Sequence, residues 1–248
     1  MIDYQAPADL LKDRVILVTG ASAGIGRAAA LTYARHGATV VLLARRLGEL
    51  EALYDDIVAA GAPQPAILTL DLSLAGRHDC EQVAEVIESN LGRLDGILHN
   101  AAILGDITPI ESYDPDTWDL VMRVNLRAPF VLTQALLPLL RQSPDASVIM
   151  TSSSVGRRAR AFWGAYAISK CGIEGLTQML SDELANTTHI RVNAINPGAT
   201  RTNMRASAYP GEDPMTVKTP EQTLPLYLYL MGPDSTGVTG QSFDANVR

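Results

Sequence analysis

Tyr166 and Lys170 stand four positions apart in YAISK, and Ser153 precedes the tyrosine by thirteen. On a helix, side chains at i and i+4 share one face. With 8 tyrosines and only Lys12, Lys170 and Lys218 as lysines, such a pair arises by chance in about one sequence of this composition in ten. Requiring the serine as well lowers that to about one in two hundred. The three groups suit proton transfer to a carbonyl oxygen. A free phenol, with a pKa near ~10, exchanges protons poorly at neutral pH. An ammonium ~4 Å away at an effective dielectric of ~20 contributes about 4 kcal/mol, or about three pKa units. Lys170 is therefore expected to bring Tyr166 toward neutrality, while Ser153 orients the substrate oxygen. The plain alternative is a surface tyrosine beside a solvated charge.

A second constellation lies near the N-terminus. The run RVILVT (14–19) leads into Gly20, Ala21, Ser22, Ala23, Gly24, Ile25 and Gly26, and then into a helical pattern. This GxxxGxG spacing differs from the commoner GxGxxG, but the physics is shared: a tight turn lets a pyrophosphate approach amides at a helix N-terminus. The alternative is a helix entry that needs its glycines only for packing. After the next apolar run come Arg45 and Arg46. An acidic residue there would suit the ribose of NAD(H), whereas arginine pairs with a 2′-phosphate, so NADP(H) is favoured over NAD(H). Asp71-Leu72 and Asn100-Ala101 follow two further runs and are placed to line the same crevice; Asp71 also reads as a turn or capping residue.

The elements that must position these residues alternate along the chain. Apolar, β-branched runs fall at 14–19, 39–43, 66–70, 94–99, 147–151 and 190–196, and a seventh strand is expected at QSFDA (241–245). Helical patterns fall at about 24–36, 46–60, 78–91, 115–140, 163–187 and 220–231. Runs that are apolar throughout fit parallel strands covered on both faces. The pattern predicts an α/β fold: a Rossmann-type, doubly wound, parallel seven-stranded sheet with helices on both faces. No linker, repeat or charge block divides it, so residues 1–248 are expected to form one domain. Residues 199–219 carry no clear periodicity and include Pro210, Gly211 and Pro214. They are expected to be a substrate lid, mobile until substrate binds.

Taken together, these motifs resemble the short-chain dehydrogenase/reductase (SDR) family over essentially the whole chain. The matching residues are TGASAGIG (19–26), Asp71, the NA of HNAA (99–102), Asn125, Ser153, YAISK (166–170) and NPGATRT (196–202). The finer wording is most similar to the YciK-type bacterial oxidoreductases. The resemblance implies Tyr166 as general acid/base and Lys170 as the group that lowers its pKa and holds the nicotinamide ribose. It implies Ser153 polarising the substrate oxygen and Asn125 holding a proton-relay water. It places Ala102 with Asn100 and Ala101 beside the cofactor, and Pro197, Gly198, Thr200 and Thr202 beside the nicotinamide carboxamide. Three positions depart from the family's pattern: Ala102 where glycine is frequent, Thr200 where Val or Ile is usual, and Phe243-Asp244-Ala245-Asn246 where VDGG is usual.

Composition narrows the partners. With 248 residues, 47% hydrophobic, the chain can bury a sizeable core without staples. A net charge of −7 argues against nucleic acid or an anionic membrane as partner. Two cysteines and four scattered histidines offer no disulfide framework and no metal centre. The N-terminus lacks the pattern of a signal peptide, and no apolar run reaches the length of a bilayer span, so a cytoplasmic protein is expected. Arg157, Arg158 and Arg160 read either as a reception for an anionic substrate or as a solvated, ion-paired loop. Cys171 reads as a small core residue in preference to a redox sensor. The apolar helix near Ala128–Leu140, with the family resemblance, implies a homodimer or homotetramer. Three functions are carried forward: an NADP(H)-dependent oxidoreductase acting on a small carbonyl or alcohol substrate, a 3-oxoacyl-carrier-protein reductase, and a non-catalytic NADP(H)-binding or sensor protein.

Overall fold

Strands β1 (Val15–Thr19), β2 (Thr39–Ala44), β3 (Ala66–Thr69), β4 (Gly96–His99), β5 (Ser147–Thr151) and β6 (Arg191–Asn196) form from the six apolar runs, and β7 (Ser242–Asp244) from the more polar stretch at 241–245. A computed structural model, which describes residues 4–245, places them in one sheet of order β3-β2-β1-β4-β5-β6-β7, every pair parallel. The order reverses between β1 and β4, the topological switch at which open α/β sheets bind ligands.

The doubly apolar strands follow from burial on both faces. In β1, Ile16 and Val18 enter one core cluster while Val15 and Leu17 enter the other. In β2, Val40 and Leu42 alternate with Val41 and Leu43 in the same way. Helices α1 (Gly24–Arg35), α2 (Leu47–Ala59) and α9 (Leu224–Met231) cover the first face. Helices α3 (Arg77–Leu91), α5 (Ala128–Leu140) and α7 (Gly164–Leu184) cover the second.

The expected helix over 115–140 is interrupted. α4 (Pro115–Met122) passes into a π-turn at Arg123–Arg127 before α5 begins. The combined stretch has the length and apolarity of a membrane span. Here, however, Val131, Leu132, Leu136, Leu139 and Leu140 are buried under the sheet.

The lid also differs from expectation. Residues 203–208 form a short helix, α8 (Asn203–Ala208), capped by Thr202, whose Oγ1 accepts from Arg205 N. A single bridge, Thr200 to Lys218, closes the base of this segment, and Arg201 N donates to Lys218 O at 2.8 Å. Six residues carry too little periodicity to announce a helix; the cap and the side chains described below hold it. A further one-turn helix, α6 (Ser154–Arg157), begins at the Ser153 cap. Of the atypical C-terminal stretch, Asn246 lies outside the described residues.

Candidate active site

A cleft of about 760 Å³ opens along the C-terminal ends of the strands, across the β1–β4 switch. One wall begins where β1 ends. Gly20 has φ +67°, and a Cβ there would lie 2.9 Å from Ala101 Cα, so the loop presses on the end of β4. Thr19 Oγ1 fastens that contact by accepting from Asn100 N and Ala101 N. α1 then starts with no side-chain cap and no acidic residue in its first turn. An uncapped helix N-terminus behind a glycine turn presents amide donors to an anion. Ser22, Ala23, Gly24 and Ile25 line this part of the cleft. Gly26 does not: a Cβ there would lie 2.3 Å from Gly20 O, so its smallness serves packing behind the loop.

Arg45 lies on the rim, 62% exposed, its guanidinium 3.9 Å from an Asp71 carboxylate oxygen. The other Asp71 oxygen accepts from both Ser73 N and Ser73 Oγ, so the turn reading of Asp71 holds while the residue also lines the cleft. Leu72, Asn100, Ala101 and Ala102 line it too. These groups fit a phosphate-bearing dinucleotide: an uncapped helix start, a loop without side-chain bulk, and an exposed guanidinium at the second strand's end.

The opposite wall carries the residues whose types suit proton transfer. Ser153 sits just past β5, Tyr166 and Lys170 project from one face of α7, and all three line the cleft. Both α7 residues are buried, at 8% and 3% exposure. Burial pushes the Tyr166 phenol up to about 12, while a hydrogen bond with Ser153 works the other way. Burial likewise pushes the Lys170 ammonium down to about 8, opposed by the Glu174 carboxylate one turn on.

The expected drop of Tyr166 toward neutrality is therefore not what this arrangement produces. Lys170 Nζ donates to Thr151 O at 2.6 Å and lies 5.7 Å from the centre of the Tyr166 ring. Desolvation outweighs it, and the phenol is held protonated. A protonated phenol can donate a hydrogen bond to a carbonyl oxygen.

Asn125 is not brought into the cleft. Its side chain is buried in the π-turn, accepting from Ile103 N at 2.8 Å and donating to Ile103 O at 2.9 Å and Ser169 Oγ at 3.1 Å. It clamps the segment after β4 against α7, a positioning role. On the third side, Pro197, Gly198, Thr200 and Thr202 line the cleft. The hydroxyl that distinguishes Thr200 turns back to Pro197 O and Gly198 O, both at 3.3 Å.

The basic stretch divides. Arg157 turns away from the cleft to Asp244 at 2.8 Å, Ser242 and Glu174, so for it the ion-paired reading holds. Arg160 lines the cleft mouth and is exposed. Cys171 is partly buried, its thiol 3.6 Å from Val155 O.

Several lining residues escaped the motifs, among them Leu104, Met204, Arg205 and Tyr209. Glu174 was equally silent, although an acid four residues after Lys170 is a signal that i,i+4 spacing could have raised. Ser152 Oγ and Ser242 Oγ both donate to its Oε1, at 2.5 and 2.9 Å. Among the described residues no His/Cys/Asp/Glu cluster could hold a metal ion.

Known proteins resemble the chain over nearly its whole length. The chain is 54% identical over 242 residues to the oxidoreductase YciK of Escherichia coli K12, covering 98% of this chain and 95% of that one. It is 33% identical to the 3-oxoacyl-[acyl-carrier-protein] reductase FabG of Thermotoga maritima, covering 93% and 95%. A short chain dehydrogenase of E. coli CFT073, solved in complex with NADPH, superimposes with a TM-score of 0.94 at 55% identity, covering 97% of this chain and 100% of that one. The model of the short chain dehydrogenase family matches residues 14–213, and the chain belongs to that family of oxidoreductases.

Proposed function

We propose that the protein is an NADP(H)-dependent oxidoreductase that works on the carbonyl or hydroxyl group of a small substrate, with Tyr166 as the proton-transferring residue. The observation that carries this is the meeting of Ser153, Tyr166 and Lys170 on one wall of a cleft whose other wall is the glycine loop. Arg45 at the rim supports NADP(H) over NAD(H), as does the NADPH complex of the 55%-identical relative. When bound, the dinucleotide supplies or accepts a hydride at its nicotinamide.

The chain's own part is to hold the substrate oxygen and deliver a proton to it. Tyr166 donates that proton, and Ser153 donates a second hydrogen bond to the same oxygen. Lys170, fixed by Thr151 O, stabilises negative charge as the phenol gives up its proton. Glu174 keeps Lys170 cationic, and Asn125 positions the adjoining wall through Ile103.

The non-catalytic reading has the buried pair of Lys170 and Tyr166 against it. Burying an ammonium is expensive unless the charge is used or paired; holding a ribose would use it, but a plain cofactor binder has no need of the buried Tyr166 phenol beside it. The 3-oxoacyl-carrier-protein reading draws on the T. maritima relative, but Arg157 spends its charge on Asp244 and Glu174, which leaves Arg158 and Arg160 of the basic stretch exposed for an acidic carrier. NADPH consumption by the purified protein over ketones, aldehydes and 3-oxoacyl thioesters tests the choice. Turnover confined to thioesters would overturn the main reading, and no turnover with NADPH bound would favour the sensor.

Assembly into a homodimer or homotetramer through α5 and α7 belongs to the same proposal. It is supported by Phe130 and Met179, exposed beside a groove floored by Leu126 and Leu176. Light scattering that returned a monomer mass would remove it. Free Cys80 and Cys171 are in keeping with a reducing, cytoplasmic location.

A further inference from the structure

The lid contains a closed unit of three side chains. Arg205, on α8, forks Glu212: its Nε meets one carboxylate oxygen at 2.6 Å and a terminal nitrogen meets the other at 2.5 Å. The same guanidinium lies over the Tyr209 ring, 3.7 Å from its centre, and Glu212 N donates to Tyr209 O at 3.1 Å. Tyr209 is thus clamped from its face and from its backbone. Its ring meets Trp163 with centroids 6.0 Å apart, and Trp163 meets Tyr166 at 5.8 Å, both pairs tilted by about 45°. Leu104 and Met204 pack on the same cluster around Tyr166.

The wall beside the proton donor is therefore aromatic and apolar, and its charges are already cancelled. Arg205 is neutralised by Glu212, and Arg157 is turned to Asp244 and Glu174. Arg160 stands at the mouth, exposed, where water screens it.

We propose that Arg205, Tyr209 and Glu212 form a preassembled specificity latch, and that with Trp163 they select planar, apolar, uncharged carbonyl compounds of the aryl aldehyde and aryl ketone class. This rests on the reading of Tyr166 as proton donor. An aryl ring gains stacked and edge contacts on this wall. An anionic substituent on this wall would lose its hydration, because Arg205 and Arg157 are already paired and Arg160 lies out at the solvated mouth. The reaction balances as a two-electron reduction: the carbonyl π bond breaks, carbon takes the hydride of NADPH, and oxygen takes the Tyr166 proton.

The test is steady-state NADPH oxidation by the full chain with benzaldehyde, 4-carboxybenzaldehyde and dihydroxyacetone phosphate. Wild type, Tyr209→Ala and Glu212→Gln are compared, with a thermal melt on each. Wild type should favour benzaldehyde over both anionic probes by about tenfold or more in kcat/KM. Tyr209→Ala should raise KM for benzaldehyde by about tenfold, more than it lowers kcat. Glu212→Gln, nearly isosteric, frees the Arg205 charge and should narrow or reverse the preference against 4-carboxybenzaldehyde. A wild-type preference for either anion, or a ratio unmoved in both variants, overturns the latch alone. If NADPH binds by fluorescence titration and no probe is turned over while the wider carbonyl screen finds a substrate, the latch falls alone; no turnover in that screen either removes the carbonyl-reductase reading with it.

Discussion

Gly26→Ala adds a single methyl group, and the structure says where it must go. The new Cβ would lie 2.3 Å from Gly20 O, 2.6 Å from Asn100 Nδ2 and 2.8 Å from Gly20 C. Two of these atoms are loop backbone, which cannot rotate aside as a flexible side chain would. Ordinary contact begins at 3.4 Å, so the glycine loop must retreat by about 1 Å in an interior packed as densely as a crystal. Overpacking of this kind costs about 1–3 kcal/mol, which for a chain of this size lowers Tm by roughly 2–12 °C. The functional cost should be larger in proportion. The displaced loop carries the amides that would face the pyrophosphate, and a misplacement of about 1 Å can cost on the order of 10²-fold. Fluorescence titration with NADPH, alongside a thermal melt, reads both quantities. Unchanged affinity and an unchanged melt would mean that the loop is free to move without consequence and that Gly26 is not needed for packing behind it.

Two other outcomes follow from the charges around the cleft. Arg45→Ala should erode the preference for NADPH over NADH by about tenfold or more, the scale of one charge-assisted hydrogen bond; competitive titration of both cofactors reads it, and an unaltered ratio would move the role to Arg46. Turnover should fall as pH rises through about 8, where Lys170 loses its proton. Glu174 raises the Lys170 pKa, so Glu174→Gln must shift that limb to lower pH. A shift to higher pH in the kcat profile would contradict the assignment.

Much of this molecule is legible in its residues, and the reasons are physical. Strands buried on both faces must be apolar throughout, which is why runs such as RVILVT and SVIMT mark β1 and β5 within a residue or two. Glycines pressed between backbone segments and a tyrosine–lysine pair on one helical face are local features with fixed spacing. What stayed hidden depends on contacts between distant residues. The π-turn at Arg123–Arg127 interrupts an apolar pattern that reads as one helix, and only the fold reveals that Asn125 spends its side chain on Ile103. The latch of Arg205, Tyr209 and Glu212 sits in a stretch without periodicity. The pKa of Tyr166 went the opposite way to the spacing argument, because i,i+4 spacing reports a lysine's proximity and says nothing of the desolvation that outweighs it.

In the proposed reaction Tyr166 delivers the proton to the substrate oxygen. Tyr166→Phe removes one hydroxyl from a buried position and leaves the ring to pack against Trp163. The deciding measurement is kcat of this variant with saturating NADPH and an aldehyde the wild type reduces, with NADPH affinity and melting temperature recorded beside it. kcat should fall by about 10² or more, the scale of acid catalysis, with affinity and fold retained. A Tyr166→Phe enzyme with near-wild-type kcat would contradict that role.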